Sequence, residues 1–242
     1  MGGSESAPVA GGDRQEAIAP NALNAPAFNR LAGKRIILAS SSPRRLDILA
    51  TVGIRPEVVP STFDESLDKD DFVGASILEY PVETSARKAI EVYERLLKEN
   101  PADPPDLIIA ADTVVVKGEE ILEKPKDRLD HIRMLADLND GECEVITGVT
   151  LIHPIIQAPG FKVRSISERT KVFFAANPAE LLKAYVEDGE GADRAGGFAV
   201  QGKGALLVRA IEGDYNNVVG FPLFSFCAFL HELIGTEELE FV

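Results

Sequence analysis

"IILASSSPRRLDILATVG", residues 36–53, runs from an apolar stretch through three serines and a proline into a helical repeat. "RIILAS" is short and nearly all apolar, the pattern of a buried strand. Ser42 fits a helix N-cap and Pro43 the first helical position. Leu46, Leu49 and Val52 recur every three residues and give the helix an inner face, which Gly53 closes. Arg44 and Arg45 therefore fall in the first turn, where unpaired N–H groups and a partial positive charge favour anions. Two cations there make sense if an anionic ligand is held by those N–H groups, by the hydroxyls of Ser40 and Ser42 and by a guanidinium fork. They make equal sense as solvated side chains, since an exposed adverse charge costs only about 0.3–1 kcal/mol.

Strands and helices keep alternating from Lys34 onward. "RPEVVP" and "LIIAADTVVV" read as strands, and "VETSARKAIEVYERLLKE" carries apolar residues at helical spacing. "DRLDHIRMLADL" is a helix capped by Asp127, and "CEVITGVTLIH" and "SERTKVFF" are strands. Asn177 caps "PAELLKAYVEDG", "GFAVQ" and "ALLVRAIEG" form a hairpin, and Pro222 opens the last helix. The pattern predicts an α/β fold with a mixed central sheet flanked by helices. Residues 1–30, rich in Ala, Gly, Pro and Ser, read as a disordered tail, with a single domain over 31–242.

A formal charge of −14 over 242 residues argues against binding to nucleic-acid polymers or anionic membranes. It leaves room for a small anion held by a local cluster of cations. Two distant cysteines, Cys143 and Cys227, give neither a metal spacing nor a disulfide framework and read as buried thiols. With no apolar run of membrane length and no signal-peptide core, the chain reads as cytoplasmic. The phosphate-binding patterns G-x-x-x-x-G-K-S/T and G-x-G-x-x-G are absent, and the three histidines do not cluster.

Several polar residues interrupt the apolar plan. Asp112 sits inside a buried strand, where a carboxylate must be paired, metal-bound or catalytic. Thr113 beside it supports a bound water or caps the strand. Lys124 precedes Pro125, which fixes its backbone. Lys88 stands off the apolar face of the long helix, where a solvated lysine is common. Asp64 and Glu65 are either a loop pair in solvent or oxygen ligands for Mg2+. Gln201 reads a base edge or ends a strand.

Taken in order, "LASSSPRR", "DES" at 64–66, "ETSARKA", "AADTVVVKGEEILEKP", "MLADLNDGECEVITGV" and "DRAGGFAVQGKGALLVRAIEGDYNNVVGFPL" resemble the Maf family of nucleotide pyrophosphatases over residues 35–234. The resemblance implies the Maf and inosine-triphosphatase (HAM1-like) fold, with an active-site cleft between two lobes. It implies hydrolysis of a nucleoside triphosphate to monophosphate and pyrophosphate with Mg2+ or Mn2+. By the same resemblance Ser40, Arg44, Arg45, Glu65, Lys88, Asp112, Lys124 and Gln201 match the family's active-site set. Glu65, with Asp112, would hold the metal. Asp112 would orient or deprotonate the attacking water, and Arg44, Lys88 and Lys124 would neutralise the triphosphate. "DRAGGFAVQG" is similar to the branch acting on dTTP and UTP; the 7-methyl-GTP branch is the alternative. So is a non-catalytic nucleotide-binding regulator, since the family is tied to septum formation. Members often form homodimers. Glu123, Arg194 and Phe198 stand where the motifs usually have glycine, lysine and tyrosine, and 66–81, 98–106 and 154–167 look extended.

Overall fold

The computed structural model describes residues 16–64, 67–68, 71–72, 74–156 and 160–239. The elements are α1 (Pro26–Leu31), β1 (Ile36–Leu38), α2 (Pro43–Thr51), β2 (Glu57–Val58), α3 (Tyr80–Glu99), β3 (Leu107–Lys117) and β4 (Glu120–Leu122). They continue as α4 (Arg128–Leu138), β5 (Glu142–Pro154), β6 (Phe161–Phe174), α5 (Ala179–Asp188), β7 (Val208–Glu212), α6 (Tyr215–Val219) and α7 (Leu223–Gly235). The sheet has seven strands in the order β2-β1-β3-β5-β6-β7, with β4 paired to β3 off that path. β1 pairs parallel with β2 and β3, and the remaining pairings are antiparallel. This is the mixed sheet flanked by helices that the alternation predicts.

β3 organises the core because both its faces are covered. Leu107, Ile109 and Ala111 point into a cluster with Leu49 of α2 and Phe226 and Leu230 of α7. Ile108 and Ala110 point the other way, against Ala89, Val92, Tyr93 and Leu96 of α3. The two-residue period of a strand carries this alternation onward. Asp112 thus emerges on the α3 side and Thr113 on the α2 side, one step apart along the backbone.

α3 lies close to the sheet because Gly148 of β5, the register partner of Asp112, has no side chain. A Cβ there would overlap the Pro81 carbonyl and the Val82 nitrogen. Further along, Ser85 Oγ and Thr150 Oγ1 share a buried hydrogen bond of 2.7 Å, continued from Thr150 to Ser165 Oγ at 2.8 Å. These bonds fix the rotation of α3 over the sheet, since a buried hydroxyl without a partner is costly.

Four expectations need correction. The tail does not extend to residue 30: Ala17, Ala27, Phe28 and Leu31 join the same core as α2 and α7. Ile18 bridges Ile54, and the Ala19 N–H donates to the Gly53 carbonyl at 2.8 Å. Small residues and one phenylalanine bury enough surface here despite a low-complexity look. Residues 1–15 of the expected tail lie outside the described residues. "GFAVQ" forms no strand, and β7 pairs with β6 instead of closing a hairpin on it. Pro178 occupies the N-cap position of α5 with no side-chain cap bond; the Asn177 amide groups bond instead to Asn139 and to the Ala175 and Leu207 carbonyls. Lys88 is buried in the stripe of α3 that contains Ser85, Ala89 and Val92. Its three- and four-residue spacing from Ser85 and Val92 puts it on that face. No helix among the described residues is long and apolar enough to cross a membrane.

Candidate active site

One cleft of about 370 Å³ collects residues from most of the chain. Ser40, Ser42, Arg44 and Arg45 line it from the β1–α2 junction, and Lys88 from α3. Asp112 and Thr113 line it from β3, Lys124 from the segment after β4, and Gln201 from the turn before β7. Nine of the ten residues expected to form the site therefore share one cavity; Glu65 lies outside the described residues. Glu123, Asp193, Arg194, Ser61 and Gly220 also line it. Its cations, Arg44, Arg45, Lys88, Lys124 and Arg194, outnumber the carboxylates Asp112, Glu123 and Asp193. An acidic chain has here a local electropositive cleft, which suits a compact polyanion.

The α3 wall rests on a buried ion pair. Lys88 Nζ donates to Asp112 Oδ1 at 2.7 Å, with side-chain exposures of 10% and 11%. The other Asp112 carboxylate oxygen makes no hydrogen bond among the described residues. The pair holds one carboxylate edge in place and leaves the other available to a water or a cation.

The α2 wall distinguishes the two arginines. Arg45 Nε donates to the Gly220 carbonyl at 3.0 Å, Nη1 to Ser40 Oγ at 2.9 Å and Nη2 to Thr113 Oγ1 at 3.2 Å. Its planar fork ties the start of α2 to β3 and to the α6–α7 junction. Arg44 makes no hydrogen bond or ion pair among the described residues, so its donors remain for a ligand. Ser40 Oγ also accepts from the Ser42 N–H at 3.2 Å, and Ser42 makes no side-chain cap bond. The first-turn N–H groups of α2 are left without a side-chain partner from Ser42.

Two surrounding elements are held by carboxylates. Glu91 accepts from Ser61 Oγ at 2.8 Å, from the Thr62 N–H at 3.0 Å and from Arg95 Nε at 2.7 Å. Desolvation alone would raise its pKa, but these donors hold it down at about 2. They also fix the loop that leads to Glu65. Glu123 Oε1 accepts from the Tyr80 hydroxyl at 2.9 Å, and its backbone carbonyl accepts from the Gly196 N–H at 3.0 Å. The segment bearing Lys124 is thereby tied to α3 and to the Arg194 loop. His131, one of the unclustered histidines, bonds the Gly197 carbonyl through Nε2 at 2.6 Å and is structural.

Burial pushes the Cys143 thiol up to about 12 and the Cys227 thiol to about 11, so neither is poised as a nucleophile. No group of three His, Cys, Asp or Glu residues assembles for a metal among the described residues. Sequence reasoning missed Gly148 and Glu91. For Gly148 a signal existed, because an isolated glycine inside a strand marks a close backbone approach.

Comparison with known proteins adds the relatives. The family described as Maf-like protein matches residues 35–233. A Homo sapiens protein named probable bifunctional dTTP/UTP pyrophosphatase/methyltransferase protein is 45% identical over 210 residues, covering 86% of this chain and 33% of that protein. The chain thus spans about a third of that relative's length. A Schizosaccharomyces pombe dTTP/UTP pyrophosphatase is 42% identical over 207 residues, 83% of this chain and 84% of its own. A dTTP/UTP pyrophosphatase of a Thermoanaerobacter species is 40% identical over 190 residues, 78% of this chain and 91% of its own.

Proposed function

The chain belongs to the Maf family, and from that premise we propose that it hydrolyses dTTP, UTP or a closely similar pyrimidine nucleotide to the monophosphate and pyrophosphate. The observation that carries this reading is the Asp112–Lys88 pair at the wall of a cleft rich in cations. A carboxylate beside a site for a polyanion is placed to handle a water, and the names of the relatives supply the substrate class.

In this reading the triphosphate lies between the start of α2 and Lys124. Arg44, Lys124 and the first N–H groups of α2 offset its charge, which grows on the leaving pyrophosphate as the bond breaks. Ser40 and Arg45 shape that wall. Asp112 orients a water toward the α-phosphorus and accepts its proton, while Lys88 keeps the carboxylate aimed. The new bond joins the water oxygen to the α-phosphorus, and the bond to the bridging oxygen breaks. No covalent nucleophile is needed. Gln201 and Thr113 contact the nucleotide, Gln201 at the base.

A divalent cation, Mg2+ or Mn2+, fits this donor set. Mg2+ commonly binds through one or two carboxylates together with substrate phosphates and water. Asp112 offers one carboxylate oxygen beyond its bond to Lys88, and Glu65 is the second expected ligand. When bound, the ion supplies charge neutralisation at the phosphates.

The test is pyrophosphate release from UTP, dTTP, CTP, GTP and 7-methyl-GTP in the presence of Mg2+. The reading expects UTP and dTTP to lead, and Asp112→Asn to retain nucleotide binding without turnover. Release from none of the five supports a nucleotide-binding regulator instead; preference for 7-methyl-GTP overturns the pyrimidine assignment.

A further inference from the structure

Gln201 is carried on a turn that has no sheet to support it. The Gly202 N–H donates to the Ala199 carbonyl at 3.2 Å, so Val200 and Gln201 are the two central residues of the turn. The backbone groups on both sides need partners, and they find them in side chains of the α5 end. The Ala199 N–H donates to the Tyr185 hydroxyl at 3.0 Å. The Lys203 N–H donates to Glu190 Oε1 at 3.0 Å and the Gly204 N–H to Glu190 Oε2 at 2.9 Å. Tyr185 and Glu190 thus anchor the two sides of the turn.

The packing leaves no slack. A Cβ at Gly202 would overlap the Glu190 carboxylate, and one at Gly204 would meet Ala199 and the Tyr185 hydroxyl. Gly189 turns the chain after α5 with φ of 82° and delivers Glu190 to this position. Burial raises the Glu190 pKa and the N–H donors outweigh it, so the carboxylate titrates below its ordinary range.

We infer that Glu190, with Tyr185, is a positioning residue that fixes the Gln201 turn and so sets discrimination between nucleotide bases. The inference rests on the proposed reading that Gln201 contacts the base. Glu190 does not line the cleft and touches no substrate; it acts through the backbone of residues 202–204. A fixed turn presents the Gln201 amide in one orientation, and a loose one accepts any base edge at similar cost.

The experiment compares wild type with Glu190→Ala, Glu190→Gln, Gln201→Ala and the Glu190→Ala/Gln201→Ala double variant. It reads kcat and KM for UTP and CTP, and hydrogen–deuterium exchange of residues 199–204. Glu190→Ala is expected to reduce the UTP-to-CTP ratio of kcat/KM about tenfold, mainly through KM, since one well-placed hydrogen bond carries discrimination of that order. Glu190→Gln keeps one acceptor and should recover part of the ratio. The double variant should lose no more selectivity than Gln201→Ala alone. Exchange at 199–204 should accelerate in Glu190→Ala and not across α3. An unchanged ratio, or losses that multiply in the double variant, overturns the inference. If wild type turns over neither nucleotide, the functional reading fails, and the exchange data still decide whether Glu190 clamps the turn: unchanged exchange overturns the clamp.

Discussion

Lys88 and Asp112 meet at 2.7 Å between α3 and β3, and both are nearly buried. Such a pair is held by fold geometry and not by surface chance. Gly148 lets α3 descend onto the sheet, the Ser85–Thr150 bond sets its rotation, and the strand period turns Asp112 toward it. Breaking a buried pair leaves an uncompensated charge, which costs about 3–5 kcal/mol. Lys88→Met should therefore lower the unfolding free energy by about that amount in urea titrations at neutral pH, and adding Asp112→Asn should restore much of it. Equal stability of wild type and Lys88→Met would contradict the burial of the pair.

Arg44 and Arg45 should separate by assay. Arg45 spends its donors on Gly220, Ser40 and Thr113, so Arg45→Ala should reduce stability by roughly 1–3 kcal/mol as acceptors lose partners. Arg44→Ala should leave the melting temperature nearly unchanged and raise KM for the nucleotide. Thermal melts beside steady-state kinetics distinguish these outcomes from the reverse assignment.

Gly148→Ala is the smallest change that should shift the α3 wall. Its methyl group would overlap the Pro81 carbonyl. Overpacking of this kind costs about 1–3 kcal/mol. Turnover should fall further than stability implies, because Lys88 moves with the helix. A variant with native turnover would show that α3 does not set the site.

Acid should loosen the loop held by Glu91. The folded-state pKa of about 2 lies below the ordinary value of 4.5. The anchoring is therefore fully present above the ordinary value and is lost as the pH falls from there toward 2. Unfolding free energy measured across that range should decline less steeply in Glu91→Gln than in wild type. Parallel pH profiles would contradict it.

What the sequence disclosed, and what it withheld, follows from locality. The β1–α2 junction was legible because the apolar run, Pro43 and the Leu46–Leu49 spacing are local signals. Asp112 stood out because a carboxylate inside an apolar strand needs a reason. The burial of Lys88 is not legible locally because its partner lies 24 residues away on a strand, and helical spacing alone does not name the partner of a polar residue. "GFAVQ" looked like a strand because it is apolar. Its Ala199 N–H bonds to Tyr185, and the Lys203 and Gly204 N–H groups just beyond it bond to Glu190, side-chain partners that no propensity encodes. Residues 17–31 looked too poor in large apolar groups to fold, yet Gly53 leaves the room into which Ala22 packs.

The central claim is that Asp112 directs water to the α-phosphorus of a pyrimidine nucleoside triphosphate. Turnover of UTP in 18O-water, followed by mass spectrometry of both products, tests it most directly. The account predicts one 18O atom in UMP and none in pyrophosphate, with Asp112→Asn slowing the reaction about 10²–10⁴-fold. Label in pyrophosphate, or in released orthophosphate, would contradict it.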